Sequence, residues 1–379
     1  MHCNNLRFHG RDVLEEKKSS NTKRNIFNAV FLMTLLILTI WLIFKDQDIG
    51  QIFKLVSEIS PIFLVICFIL VIFFVCSESV IIKYLLSTVN IKVPLFNCIR
   101  YSFVGFFYSC ITPSASGGQP MQIYYMKRQN IDIPTATIIL MLVTIEYKFV
   151  LVALGLGLIA FGQGLLATLE GEVVFFLYLG TALNVFCVAF MSILVFLPNT
   201  AKFGIMWGYR LLKKLHIMKE KNNRETRLEA SMETYKRASV YLKSNKLAVF
   251  NTTVISFLQR FFLFFITYIV YIAMGNSSEN AITITLLQSI VSISVDMLPL
   301  PGGMGISERL YLLIFSPIFG GMTAAVASMM VSRGFSYYVL VIVSAIISII
   351  THLTVRAPED PKPRFSVKRP DPTRVYDDK

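Results

Sequence analysis

Eight charged residues sit inside otherwise apolar stretches of this chain: Glu78, Glu146, Lys148, Arg260, Asp296, Glu308, Arg309 and Arg333. Leaving such a group against lipid costs roughly 2.5–3.5 kcal/mol on insertion scales, so each marks a buried pair, a wet cavity or a substrate path. Three of them flank a Gly/Pro break, Pro299-Leu300-Pro301-Gly302-Gly303-Met304-Gly305, with Asp296 before it and Glu308 and Arg309 after it. A half-helix starting there offers free N–H groups and a positive dipole end, which suit a phosphate or carboxylate. A second break, Thr112-Pro113-Ser114-Ala115-Ser116-Gly117-Gly118-Gln119-Pro120, makes the same offer with hydroxyl and amide side chains. Arg333, followed by Tyr337 and Tyr338, can grip a phosphodiester through two parallel N–H bonds, which lysine cannot do.

The expected substrate-contacting set is therefore Thr112, Ser114, Ser116, Gly117, Gly118, Gln119, Gln122, Glu146, Asp296, Gly302, Gly303, Glu308, Arg309, Arg333 and Tyr337. A plainer reading stands beside it. Glu308 and Arg333 can simply pair to lock the second break, Glu78 and Arg260 can snorkel, and Glu146 and Lys148 can lie near a helix end.

The elements that position these residues follow from hydropathy. Of 379 residues 55% are hydrophobic and only 16% charged, with a mean hydropathy of +0.62. That places the chain among all-α polytopic integral membrane proteins rather than soluble domains. Apolar spans are expected at 26–44, 61–82, 134–162, 173–197, 247–274 and 323–351, each long enough for a core of about 30 Å. Neither break can continue a helix, because proline lacks an N–H and glycine adds backbone freedom. Irregular backbone at that depth is tolerated only inside protein or beside water.

Charge sets the orientation. Residues 1–25 hold six Lys/Arg, 198–246 hold twelve against four acids, and the tail from Arg356 holds seven, whereas 163–172 has none. Six full spans then give cytoplasmic termini and a cytoplasmic loop. The stretch after the first break, Gln119 to Met126, is too short to cross before Lys127-Arg128 and turns back as a re-entrant hairpin. Residues 281–316 are expected to form a second, entering from outside and turning at Pro299–Gly305. The two halves, 61–162 and 247–351, each read span, hairpin, span in opposite orientation, an inverted repeat. In the alternative, 281–298 and 305–322 each cross and the count is eight. The organisation expected is a basic N-terminus (1–25), a transmembrane domain (26–351) and a Pro-rich, disordered tail (352–379). The loop 198–246 carries two amphipathic stripes. One, around Trp207 to Met218, reads as lying on anionic lipid; the other is Leu228, Met232, Tyr235 and Leu242. Inside a span, Ala153-x-x-x-Gly157 reads as close helix packing.

Other chemistries find little support. The six cysteines lack metal or disulfide spacing, the four histidines are isolated, and no Walker A, GxSxG or HExxH motif occurs. No cofactor or metal is expected, nor direct contact with nucleic acid. The basic N-terminus precedes a run too long for a signal peptide, which reads as a retained anchor.

At ITPSASGGQPMQIYYM (111–126) and LPLPGGMGISE (298–308), with Arg333 and Tyr337 beyond, the chain resembles the transmembrane domain of the lysylphosphatidylglycerol synthase/flippase family, which includes the multiple peptide resistance factors. The likeness covers about 26–351, and the GGQPMQ wording is most similar to stand-alone members of low-GC Gram-positive bacteria. Full-length members add a cytosolic acyltransferase domain using lysyl-tRNA. The longest soluble stretch here, 198–246, is far too short for one. The resemblance thus implies a flippase in the cell membrane for lysylphosphatidylglycerol or a related anionic-backbone phospholipid, linked to cationic antimicrobial peptide resistance. Two rivals remain: a phosphatidylglycerol lysyltransferase, alone or completed by a separate synthase subunit, and a small-solute secondary transporter.

Overall fold

In a computed structural model of the chain, the residues described are 49–112, 115–197, 199–200, 202–204, 206–207 and 224–355. The expected first span (26–44), Ser114, most of the first loop stripe and the tail from Arg356 lie outside them. Contacts divide the chain into residues 1–51 and 52–379, and everything below concerns the second unit.

The helices that build the site are α1 (Pro61–Thr88), α2 (Leu95–Cys110), α3 (Gly118–Arg128), α4 (Ile133–Phe161) and α5 (Gly171–Phe196). After the basic loop come α6 (Arg224–Ser244), α7 (Lys246–Ala273), α8 (Ala281–Val295), α9 (Ile306–Phe315), α10 (Met322–Arg333) and α11 (Leu340–Thr354). A π-helical turn, Gly334–Val339, joins the last two into one run of 33 residues. Among the described residues five helices are long and apolar enough to cross a membrane: α1, α4, α5, α7 and the α10–α11 run. They coincide with five of the six expected spans.

Helices α2 and α3 form a hairpin that returns to the side it entered. Tyr101 Oη donates to Gln129 Oε1 at 2.5 Å near its open end. Further in, a Cβ on Gly105 would lie 2.3 Å from Gln122, and one on Gly118 would lie 2.1 Å from Ser109 Oγ. Paired positions therefore run antiparallel towards the tip. With 16 and 11 residues, the two arms reach roughly 24 and 17 Å, short of a crossing. The second hairpin, α8 and α9, behaves likewise. Phe319, just after α9, packs edge-on to Tyr271 at 5.4 Å. Tyr271 Oη also meets Ser278 Oγ at 2.7 Å, beside the start of α8. The chain thus leaves α9 at the end where it entered α8, so the eight-crossing alternative is set aside. Following the connections, span–hairpin–span recurs with inverted direction.

Capping residues start the elements where the sequence turns polar. Asp132 Oδ2 accepts from Thr135 N at 3.0 Å at the head of α4, and Asn280 Oδ1 accepts from Thr283 N at 2.8 Å at the head of α8, each satisfying an otherwise orphan N–H. The second loop stripe turns inward: Met232, Tyr235 and Leu242 are buried in a core shared with α1–α5, and Tyr235 Oη donates to Leu194 O at 3.1 Å. The close approach between α4 and α5 falls at Gly155, where a Cβ would lie 2.5 Å from Thr181 Oγ1, whereas Gly157 has open space.

Gly302 and Gly157 make opposite predictions. Gly302 has φ +58 and a Cβ there would lie 2.3 Å from the Tyr337 ring. Gly302→Ala should destabilise by at least about 2 kcal/mol, combining left-handed backbone strain with overpacking. Gly157→Ala, inside α4, should stabilise by roughly 0.5–1 kcal/mol. Thermal unfolding in detergent micelles compares them; equal midpoints would contradict this account of the second tip.

Candidate functional site

The first break builds its own turn. Thr112 Oγ1 donates to Tyr108 O at 2.6 Å and accepts from Gly117 N at 2.9 Å, while Ala115 takes a left-handed φ of 52. Gly117 and Gly118 leave no room for side chains: Cβ atoms would meet Thr112 at 2.7 Å and Gly105 O at 2.7 Å, respectively. The compact tip turns Gln119 and Gln122 inward and leaves Ser116 exposed beside them, and Gln119 Nε2 bonds Thr144 Oγ1 on α4.

They face a cavity of about 380 Å³. Helix α1 supplies Glu78, α4 supplies Tyr147 and Lys148, α7 supplies Arg260, and the end of α8 supplies Asp296 and Met297. Two positive and two negative side chains therefore share one hollow, but they are not equally engaged. Lys148 Nζ sits 2.5 Å from Asp296 Oδ2 and 3.3 Å from Asn184 Oδ1 on α5. Glu78 Oε1 accepts from Gln122 Nε2 at 3.0 Å. Arg260 is different. Its guanidinium lies over the Tyr147 ring at 4.5 Å and the Phe74 ring at 5.2 Å, and its buried Nε has no hydrogen-bond partner. Among the described residues no carboxylate lies within ion-pair distance of it. A planar cation held on aromatic faces, with N–H groups unspent, is suited to an incoming phosphate or carboxylate.

The second break is knotted more tightly. Gly302, Gly303 and Gly305 all take left-handed φ. Glu308 Oε2 accepts from Gly305 N at 2.7 Å, capping α9. Arg333 donates from Nη2 to Gly302 O at 3.1 Å and from Nη1 to Ser307 Oγ, and its Nε lies within 3.2 Å of Glu308 Oε1 as a charge contact rather than an aligned hydrogen bond. Tyr337, on the π-helical turn, lies under the Arg333 guanidinium at 5.4 Å and donates to Cys110 O at 3.0 Å. The two tips are thereby tied to each other. A smaller hollow of about 160 Å³ remains beside Gly302, Ser307, Ser332, Arg333 and Tyr337.

Fourteen of the fifteen expected residues, all but Ser114, lie among those described, and they separate by place. Ser116, Gln119, Gln122 and Asp296 line the larger cavity, and Gly302, Arg333 and Tyr337 the smaller. Thr112, Gly117 and Gly118 shape the first tip; Gly303 and Glu308 shape the second. Glu146 lies between α4 and α7, bonded to Thr252. Arg309 is on the surface, where its guanidinium holds Glu172 at 2.6 and 2.7 Å. The cavity also draws in Glu78, Lys148 and Arg260. Their signal, charge at membrane depth, was visible in the sequence; that they converge was not.

Among the described residues, five helices long and apolar enough to cross a membrane and two hairpins that meet around a charged hollow define a multi-pass α-helical membrane protein. A family model described as the lysylphosphatidylglycerol synthase TM region matches residues 26–344. The chain belongs to that family, and its role is connected with membrane lipid. No curated protein and no solved structure matches it at a significant level.

The Lys148–Asp296 pair has side chains only 6% and 19% exposed, so removing one partner strands a buried charge. Asp296→Asn should destabilise by about 3 kcal/mol, the low end for a broken buried pair. Arg309→Ala, which breaks an exposed pair, should cost less than about 1 kcal/mol. Adding Lys148→Met to Asp296→Asn should recover part of the loss. Unfolding midpoints of the four proteins test the order, and an equal cost for the two single variants would contradict it.

Proposed function

We propose that this protein is a lipid translocase of the cell membrane, with cytoplasmic termini, that carries lysylphosphatidylglycerol or a related phospholipid between leaflets. The observation that carries the reading is the unspent Arg260 guanidinium in a cavity that also holds Glu78 and Asp296. A zwitterionic or aminoacylated phospholipid headgroup presents the matching pair of charges: a phosphodiester for Arg260, and an ammonium for Glu78. Hydrogen-bonding groups of the first tip, Ser116 and Gln119, supply orientation.

The inverted halves supply a means of alternating exposure, one rocking against the other around a fixed central site. Acyl chains would stay in the bilayer while the headgroup passes through the hollow. Arg333 takes the part of a tip-locking residue in this reading, since its donors are already engaged. Moving an aminoacylated lipid outward would lower the negative charge of the outer surface, which links the activity to resistance against cationic peptides. A separate synthase would supply the lipid.

The test uses proteoliposomes loaded with lysylphosphatidylglycerol, with appearance in the outer leaflet read by a membrane-impermeant amine reagent. Losing a charge-assisted contact of about 1.5–3 kcal/mol should slow Arg260→Ala by roughly tenfold or more, while Arg309→Ala keeps the wild-type rate. Undiminished movement by Arg260→Ala would overturn the assignment.

A further inference from the structure

Glu146 is a buried carboxyl group to which headgroup binding gives no task. It projects from α4 in the first half onto α7 in the second, and is 2% exposed. Its Oε1 lies 2.5 Å from Thr252 Oγ1, and its Oε2 is buried with no hydrogen-bond partner. Thr252 has one hydroxyl hydrogen and three nearby acceptors: Glu146 Oε1, Ala248 O at 2.9 Å and Val249 O at 3.1 Å. If that hydrogen serves a backbone carbonyl, the short contact to Glu146 needs a hydrogen from the carboxyl group itself.

No neighbouring element neutralises Glu146. On its own helix Lys148 is bound to Asp296 at the end of α8, and Tyr147 underlies Arg260 of α7. On α1, Glu78 is bonded to Gln122 of α3 and Lys83 is exposed. On α5, Glu172 is held by Arg309. On α6, Tyr235 bonds Leu194 O and Arg237 pairs with Glu233 at the surface. Lys246, at the head of α7, is exposed. An ionised Glu146 would keep one oxygen desolvated and unpaired, a cost of several kcal/mol.

We propose that Glu146 is a proton-binding site that couples lipid movement to the proton gradient. With α4 packed on α7 the carboxyl group carries a proton. When the halves part and water reaches it, the O–H bond breaks and the proton leaves to that side. Its return from the other side forms the bond again. No electron transfer is involved. The coupling rests on the translocase reading above; the proton site rests on the geometry alone, and the two are tested separately.

Infrared difference spectra of the full chain in vesicles near neutral pH read the site. A protonated-carboxyl carbonyl band should be present in wild type, missing in Glu146→Gln, and displaced in Thr252→Val, which removes only the hydroxyl partner. Identical spectra for wild type and both variants would overturn the site. One proton per lipid predicts a leaflet accumulation ratio of roughly tenfold per pH unit across the membrane, falling to no accumulation in Glu146→Gln while downhill movement persists. Accumulation undiminished in Glu146→Gln would overturn the coupling. A wild-type protein that moves no lipid would overturn the translocase reading and the coupling, leaving the infrared band to decide the proton site.

Discussion

Backbone that leaves the helix at membrane depth must find its hydrogen-bond partners within the protein, since lipid supplies none. The rest of the molecule is arranged around this requirement. At the first tip Thr112 serves both a carbonyl and an N–H of its own turn. At the second, Glu308 takes Gly305 N and Arg333 takes Gly302 O. Tyr337 then joins the tips through Cys110 O. The π-helical turn that begins after Arg333 is what presents Tyr337 to Gly302, and π turns recur where a helix must place a functional side chain.

The same constraint explains how charge is distributed. Arg333 and Glu308, which resembled a substrate site in sequence, are consumed in closing the second tip. Lys148 and Asp296 neutralise each other across α4 and α8. That leaves Arg260 and Glu78 as the groups with capacity remaining at the cavity wall, on two helices, α7 and α1, that pack along each other. Two long helices from opposite halves thus carry the opposite charges, and any rocking of the halves would change their spacing.

Much of the frame is legible in the sequence alone. Apolar runs longer than a bilayer crossing marked α1, α4, α5, α7 and the α10–α11 run, and Gly/Pro breaks marked both hairpin tips. Those signals are local, because each follows from the chemistry of adjacent residues. The assignment of roles was not legible, because it depends on which charges meet. Nothing near Arg309 in sequence announces Glu172, 137 positions away, and nothing near Lys148 announces Asp296, 148 away. Glycine packing shows the same division: the sequence pattern points to Gly157, yet Gly155 is the one that faces a neighbouring helix closely.

The central claim is that the first hairpin tip lines a hollow inside the membrane part of the protein and meets the transported headgroup there. The most direct measurement is thiol modification of Ser116→Cys, in a background without native cysteines, by a small water-soluble reagent. Reaction at Ser116→Cys should slow when lysylphosphatidylglycerol is present, while reaction at the exposed Lys243→Cys on α6 should not. Equal rates at Ser116→Cys with and without the lipid would contradict the claim.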